Sequence, residues 1–139
     1  MSGNALRKTD ADYTRGHDKR ILLVDDNLAG AQTMRMLLEM DGYQVTVAAT
    51  GREALEIYRT LLPSIVLLDI GLPDIDGYQV ARDIRECEVS QNPMLIAVSG
   101  WGDEVARTRA FDAGFEHYLA KPIQFELLEE LVQARNSDD

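Results

Sequence analysis

Residues 64 to 69 read Ser64-Ile65-Val66-Leu67-Leu68-Asp69, an apolar run that stops abruptly on a carboxylate. A strand with one wet face alternates apolar and polar residues. An unbroken apolar run instead marks a strand covered on both faces, as the inner strands of a parallel sheet are. Ile21-Leu22-Leu23-Val24 has the same form and also ends on acid, at Asp25-Asp26. Two such strands require helices on both sides of one sheet.

Working outward, further apolar runs at 44–48, 94–98 and 118–120 join 21–24 and 64–68 to give five strands. Helix-period segments at about 28–40, 51–61, 77–87, 103–113 and 124–135 separate them, and this alternation is the α/β signature. Leu28, Ala31, Met34 and Leu38 make an apolar stripe on the first helix, and Phe125, Leu128, Leu131 and Val132 make one on the fifth. Glycines 42 and 114 suit the left-handed position that ends helices. Thr50 with Glu53 reads as a capping box, and Asn27 as the start of the first helix. Residues 1–18 follow neither period and read as an arm or linker, 19–135 as one domain and 136–139 as a tail.

A chain of 139 residues, 45% hydrophobic and 27% charged, holds one packed domain and no second of full size. No apolar stretch approaches the roughly 20 residues that span a bilayer, and the first twenty residues lack a signal-peptide core. The expected compartment is the cytoplasm, without membrane contact. With 24 acidic and 14 basic residues the formal charge is −10, which repels a phosphate backbone, so no nucleic-acid partner is expected. The single cysteine, Cys87, has no second thiol for a disulfide or metal pair and reads as a half-buried helix residue.

The polar residues with chemistry in them stand where the strands stop: Asp25 and Asp26, Asp69, Ser99 and Lys121. The C-terminal ends of parallel strands share one edge, where ligands of open α/β sheets bind. Three carboxylates gathered there raise one another's pKa unless a cation sits among them. Oxygen donors without a His or Cys cluster suit a hard ion, Mg²⁺ above all, with Mn²⁺ as the other candidate. Lys121 adds a mobile positive charge for a phosphoryl oxygen, and Ser99 can donate to a second. Such a set meets the needs of phosphoryl transfer. A carboxylate can attack phosphorus to form an acyl phosphate. Asp69, at the end of the most apolar strand, has the most firmly held backbone and is the nucleophile of choice, leaving Asp25 and Asp26 to hold the metal.

Val24-Asp25-Asp26-Asn27, Leu67-Leu68-Asp69-Ile70-Gly71-Leu72-Pro73, Val98-Ser99-Gly100 and Tyr118-Leu119-Ala120-Lys121-Pro122 occur in the order and spacing of the response-regulator receiver domains. The chain resembles that family over residues 19 to 135. The resemblance implies a flavodoxin-like, doubly wound five-stranded parallel sheet of order 2-1-3-4-5 with five helices. It implies Asp69 as phosphoacceptor and metal ligation by Asp26, Asp69 and the Gly71 carbonyl, with Asp25 acting through bound water. It further implies a cis peptide at Lys121-Pro122 and a switch in which Ser99 moves toward the phosphoryl group and Tyr118 turns inward. The partners it implies are a sensor histidine kinase or histidine phosphotransfer protein, and a downstream protein met through the fourth helix, fifth strand and fifth helix. Gly71 departs from the side chain usual at its position, which alters water access. The Ser99-Gly100-Trp101-Gly102 and Ala113-Gly114-Phe115-Glu116-His117-Tyr118 stretches look most like receivers of hybrid sensor kinases.

Other readings remain beside this one. A haloacid-dehalogenase-like hydrolase would also pass through an aspartyl phosphate, but needs an acid two residues after the nucleophile, where Gly71 stands. A flavin-binding protein would need a Ser- and Thr-rich phosphate loop after the first strand, where Asp25 and Asp26 stand. A phosphate sink or relay without conformational output uses the same residues as the switch. Asp74 and Asp76 before Gly77 read as a turn, because the calcium-loop pattern breaks at Leu72 and lacks its closing Glu. His17 and His117 lack the bundle setting of a phosphorylated histidine. Trp101 is either an anchor of its loop or part of a contact surface.

Overall fold

The computed structural model describes residues 19–87, 92–100 and 104–137. The expected arm, His17 and Trp101 lie outside the described residues. The elements are β1 (Arg20–Val24), α1 (Leu28–Met40), β2 (Gln44–Ala48), α2 (Gly51–Leu61), β3 (Ile65–Asp69), α3 (Gly77–Glu86), β4 (Met94–Ser99), α4 (Glu104–Ala113), β5 (His117–Ala120) and α5 (Phe125–Ser137). The strands pair in parallel in the order β2-β1-β3-β4-β5, the flavodoxin-like arrangement expected. β3 and β4 each extend onto the polar residue expected just beyond them. Asp69 lies opposite Val98 and Ser99 opposite Ala120, so the ladder holds both backbones.

The two-residue period of the strands sorts their side chains into two cores. Leu22, Val24, Val66, Leu68, Leu95 and Ala97 face one way and pack with Tyr58 of α2, Ile84 of α3 and Ala110 of α4. Ile21, Leu23, Ile65, Leu67, Ile96 and Val98 face the other way and pack with Leu38 of α1 and Leu128 of α5. Every residue of β3 and β4 is buried, as a strand covered on both faces requires. Leu28 departs from the expected stripe of α1. Ala31 and Leu38 are buried, whereas Leu28 is 52% exposed. It lies on the same row as Gln32 and Met36, which is turned away from the sheet and toward the open groove beside β2.

Local chemistry ends the helices where the strands must begin. Gly42, at φ 97°, donates to Glu39 O while Tyr43 donates to Leu38 O, the paired bonds of a Schellman motif. Gly114, at φ 112°, and Phe115 repeat the pattern on α4 with Phe111 O and Ala110 O. Thr50 Oγ1 accepts from Glu53 N at 3.1 Å, but Glu53 reaches back to Ala49 N, one residue before the capping position. α2 stops at Leu62, a left-handed residue at φ 48°. Pro63 next to it cannot continue a helix.

One close approach fixes the start of α3. Gly77 N donates to Ile70 O at 3.0 Å, and a Cβ on Gly77 would fall 2.6 Å from Ile70 Cα and 3.0 Å from Asp69 O. The helix thus packs directly on the backbone of the strand end. Gly77→Ala is expected to lower the urea unfolding free energy by about 1–3 kcal/mol, the usual cost of overpacking. Gly30→Ala, whose nearest neighbour is the Asn27 side chain at 3.4 Å, serves as control and should not lose stability. Equal unfolding midpoints for wild type and Gly77→Ala would remove this contact from the list of constraints.

Candidate functional site

The strand order makes β1 and β3 neighbours while α1 and α3, which follow them, leave toward opposite faces, which opens a crevice at the carboxyl edge. Asp25 follows β1 with its N–H donating to Ala48 O at 3.0 Å. Asp69 ends β3, and the next amide, Ile70 N, donates to Val98 O at 3.0 Å. Ser99 ends β4 and accepts at its carbonyl from Lys121 N at 2.9 Å. Backbone bonds between strands therefore set four of the expected site residues in one row.

Oxygens of Asp25, Asp26 and Asp69 lie within 4.8 Å of one another. Asp69 is 7% exposed, its Oδ1 accepting from Gly71 N at 2.9 Å and its Oδ2 from Lys121 Nζ at 2.7 Å. Lys121 Nζ also stands 3.8 Å from Asp25 Oδ2. Burial pushes the Asp25 carboxyl above its usual range, and the charges on Asp69 and Asp26 push the same way. The Asn27 amide and Lys121 offset only part of this. Burial pulls Lys121 down, but its hydrogen bond to Asp69 and the field of Asp69, Asp25 and Asp26 outweigh this and raise it. Lys121 is thus a firmly charged ammonium facing three carboxylates. One positive charge leaves the cluster net negative, and its donors are all hard oxygens, so the residues fit a small divalent ion.

Ser99 is buried at 4% exposure at the end of β4. Tyr118 is half-buried beside Ala97 and packs against the core on the α2–α4 side. The Lys121-Pro122 peptide is cis, as expected. Asp26 and the Gly71 backbone sit at the rim, exposed. Cys87 is half-buried at the C-terminal cap of α3.

Two features escaped the sequence reading. A pocket of about 410 Å³, lined by Leu23, Asp25, Ala31, Met34, Pro122 and Ile123, opens beside the carboxylates. It arises from the meeting of α1 with the segment after β5, which no local pattern announces. Asp74 and Asp76 are more than a turn. Asp76 Oδ1 accepts from Gln79 N at 2.8 Å and caps α3. Asp74 reaches the far side of the loop, where its two oxygens accept from Gly51 N at 2.8 Å and Arg52 N at 3.0 Å. These amides hold its carboxyl below the usual range. Asp76 could have been found as an acid directly before a helix; Asp74 had no local signal.

Comparison with known proteins fits this geometry. A sequence model described as the response regulator receiver domain matches residues 21–133. Response regulator MprA of Mycolicibacterium vanbaalenii is 38% identical over 110 residues, which cover 78% of this chain and 46% of that protein. An uncharacterized 14.6 kDa protein of Leptolyngbya boryana is 34% identical over 81% of this chain and 86% of its own length. The chain spans a little under half of the transcriptional regulators it matches, 47% for ycf27 of Cyanophora paradoxa. Among solved structures, the receiver domain of sensor histidine kinase PA1611 from Pseudomonas aeruginosa has 31% identity and a TM-score of 0.78. It covers 86% of this chain and 98% of its own, and carries a magnesium ion coordinated in its active-site cleft. The Francisella response regulator 1452 receiver domain has 25% identity and a TM-score of 0.80, covering 86% and 98%. On the matched model, the fold and these relatives, the chain belongs to the response regulator receiver domains of two-component signalling.

Proposed function

We propose that Asp69 is the phosphoacceptor of a Mg²⁺-dependent switch. One observation carries the reading: Asp69 is the buried carboxylate of the three, held at one oxygen by a backbone amide and at the other by a charged lysine. A carboxylate oxygen of Asp69 attacks the phosphorus of a phosphohistidine or a small acyl phosphate. The new bond is O–P, and the donor's P–N or P–O bond breaks with its electron pair leaving on the donor. Lys121, already against Asp69, follows the charge onto a phosphoryl oxygen, and the Ser99 hydroxyl donates to another. The Mg²⁺ that Asp26, Asp69 and the Gly71 carbonyl would hold, with Asp25 acting through water, supplies positive charge for the phosphoryl oxygens.

A turnover hydrolase is disfavoured by Gly71, which has no group to protonate a leaving oxygen two residues after the nucleophile. The partners are then a sensor histidine kinase or histidine phosphotransfer protein upstream and a protein downstream, in the cytoplasm. The likeness to a sensor-kinase receiver supports a place in a hybrid kinase pathway. The net charge of −10 favours a protein partner over nucleic acid for this domain, and among the described residues no helix is long and apolar enough to cross a membrane. Output runs through Ser99 and Tyr118 to the face of α4, β5 and α5.

Incubation with acetyl phosphate and Mg²⁺ should add one phosphoryl group, labile to hydroxylamine as an acyl phosphate is, and Asp69→Asn should abolish it. Intact-mass spectrometry followed by peptide mapping reads both, and a label on any other residue ends the assignment. Phosphorylation should also change amide exchange across residues 104–130 more than across α2, while Tyr118→Ala keeps the phosphorylation yield and blunts that response. A bias of ~3 kcal/mol toward the active state suffices, since it shifts the equilibrium by roughly two orders of magnitude. Changes confined to the loops around Asp25 and Asp69 would instead favour a phosphate relay or sink.

A further inference from the structure

The loop from Ile70 to Asp76 connects the proposed phosphoacceptor to α3 and carries the Gly71 carbonyl. Its ends are fastened by Ile70 N to Val98 O, Gly77 N to Ile70 O and the Asp76 cap. Its middle contains a glycine that no close packing demands. A Cβ on Gly71 would meet only Asp69 Oδ1, at 3.7 Å, which is ordinary contact. Glycine loses more conformational freedom on ordering than any other residue. The Gly71 N–H is held by Asp69 Oδ1 at 2.9 Å, so the carbonyl side of the residue has to be secured by the rest of the loop.

Asp74 is placed to secure it. Three residues beyond Gly71, its carboxylate accepts from two amides of α2, Gly51 N at 2.8 Å and Arg52 N at 3.0 Å. The bonds are charge-assisted and lie at the positive end of the helix dipole. α2 is a firm post, because Ala54 and Tyr58 anchor it in the core at 0% and 1% exposure. The helix already has a cap of its own in Thr50, which takes Glu53 N, while Glu53 takes Ala49 N. The Gly51 and Arg52 amides are thus satisfied by a residue 22 or 23 positions away. The loop sits close on this helix end. A Cβ on Gly51 would fall 3.1 Å from Ile75 Cβ, 3.0 Å from Val80 Cγ2 and 3.4 Å from Asp74 Oδ1.

We infer that Asp74 is a positioning residue of the phosphoacceptor site, its carboxylate clasping the Gly51 and Arg52 amides so that the β3–α3 loop presents the Gly71 carbonyl to the metal. The inference rests on the reading of Asp26, Asp69 and Gly71 as metal ligands. A carboxylate matches the task because it offers one oxygen to each amide, whereas an asparagine offers a single acceptor. Glycine at 71 and the acid at 74 form a pair: the first leaves the site rim open, the second restores the order that the first gives up.

The test compares Asp74→Ala, Asp74→Asn and Thr50→Ala with wild type, by calorimetric Mg²⁺ titration and by amide exchange of the metal-free proteins. Thr50→Ala removes a cap from the same helix end without touching the loop. Asp74→Ala should bind Mg²⁺ about tenfold more weakly, the low end of what loss of the group behind a ligand costs a metal site. Asp74→Asn should fall between it and wild type, and decides the matter if Asp74→Ala does not fold. Metal-free Asp74→Ala should exchange faster at residues 70–76 as well as at Gly51 and Arg52, and Thr50→Ala should keep wild-type Mg²⁺ affinity. Wild-type affinity in both Asp74 variants overturns the inference and leaves the metal site standing. An equal loss in Thr50→Ala overturns it too, since the effect would then belong to the helix end. Absence of any Mg²⁺ heat in wild type removes the metal site and the inference together.

Discussion

Three carboxylates held against a single lysine are the constraint on which the rest of this molecule turns. Asp69 cannot retreat into solvent, because β3 is buried on both faces and its last residue is still part of the ladder. Asp25 cannot move away either, since its amide completes the pairing with β2. The fold therefore fixes charges of one sign close together at the carboxyl edge, and Lys121, tied at its own backbone to Ser99, neutralises them only in part. Burial and mutual repulsion push Asp25 upward, while the hydrogen bond to Asp69 and the field of the three carboxylates raise Lys121 against its own burial and keep it protonated. A site in that condition gains from any added positive charge, which is the ground for proposing that it answers to a cation and, through the lysine, to a phosphoryl group.

The same burial that creates the conflict made the fold legible. Unbroken apolar runs at Ile21 to Val24 and Ile65 to Leu68 can be satisfied only between two helical layers, and acids directly after them can be satisfied only at a shared edge. Asp25, Asp26, Asp69, Ser99 and Lys121 were readable because each follows or ends a strand, and strand ends in a parallel sheet converge wherever they lie in the chain. Gly42 and Gly114 announced helix ends because a backbone turn to positive φ leaves its mark in composition.

What stayed illegible depends on contacts between distant segments. Leu28 fits the α1 stripe by spacing, yet it lies where the helix overhangs the edge of the sheet and finds no partner layer. Asp74 matches a turn by local pattern, yet its bonds go to α2, and no rule of local chemistry pairs a loop acid with amides more than twenty residues back. The pocket under Met34 and Ile123 is likewise a product of helix placement. Local pattern reports which groups need partners, while the choice among partners is made by the assembled layers.

Urea unfolding of wild type and Asp25→Asn at neutral pH, with and without Mg²⁺, tests the charge conflict at its source. Because the folded state raises the Asp25 pKa, folding takes up protons in the range just above 3.8, the ordinary value of an aspartate, and the ionised carboxylate costs stability at higher pH. Without metal, Asp25→Asn should unfold at higher urea than wild type. Mg²⁺ should raise the wild-type midpoint, by as much as ~2.7 kcal/mol at a hundredfold excess over its Kd, and raise that of Asp25→Asn by less. A metal-free wild type more stable than Asp25→Asn, with a midpoint that Mg²⁺ does not move, would contradict the account.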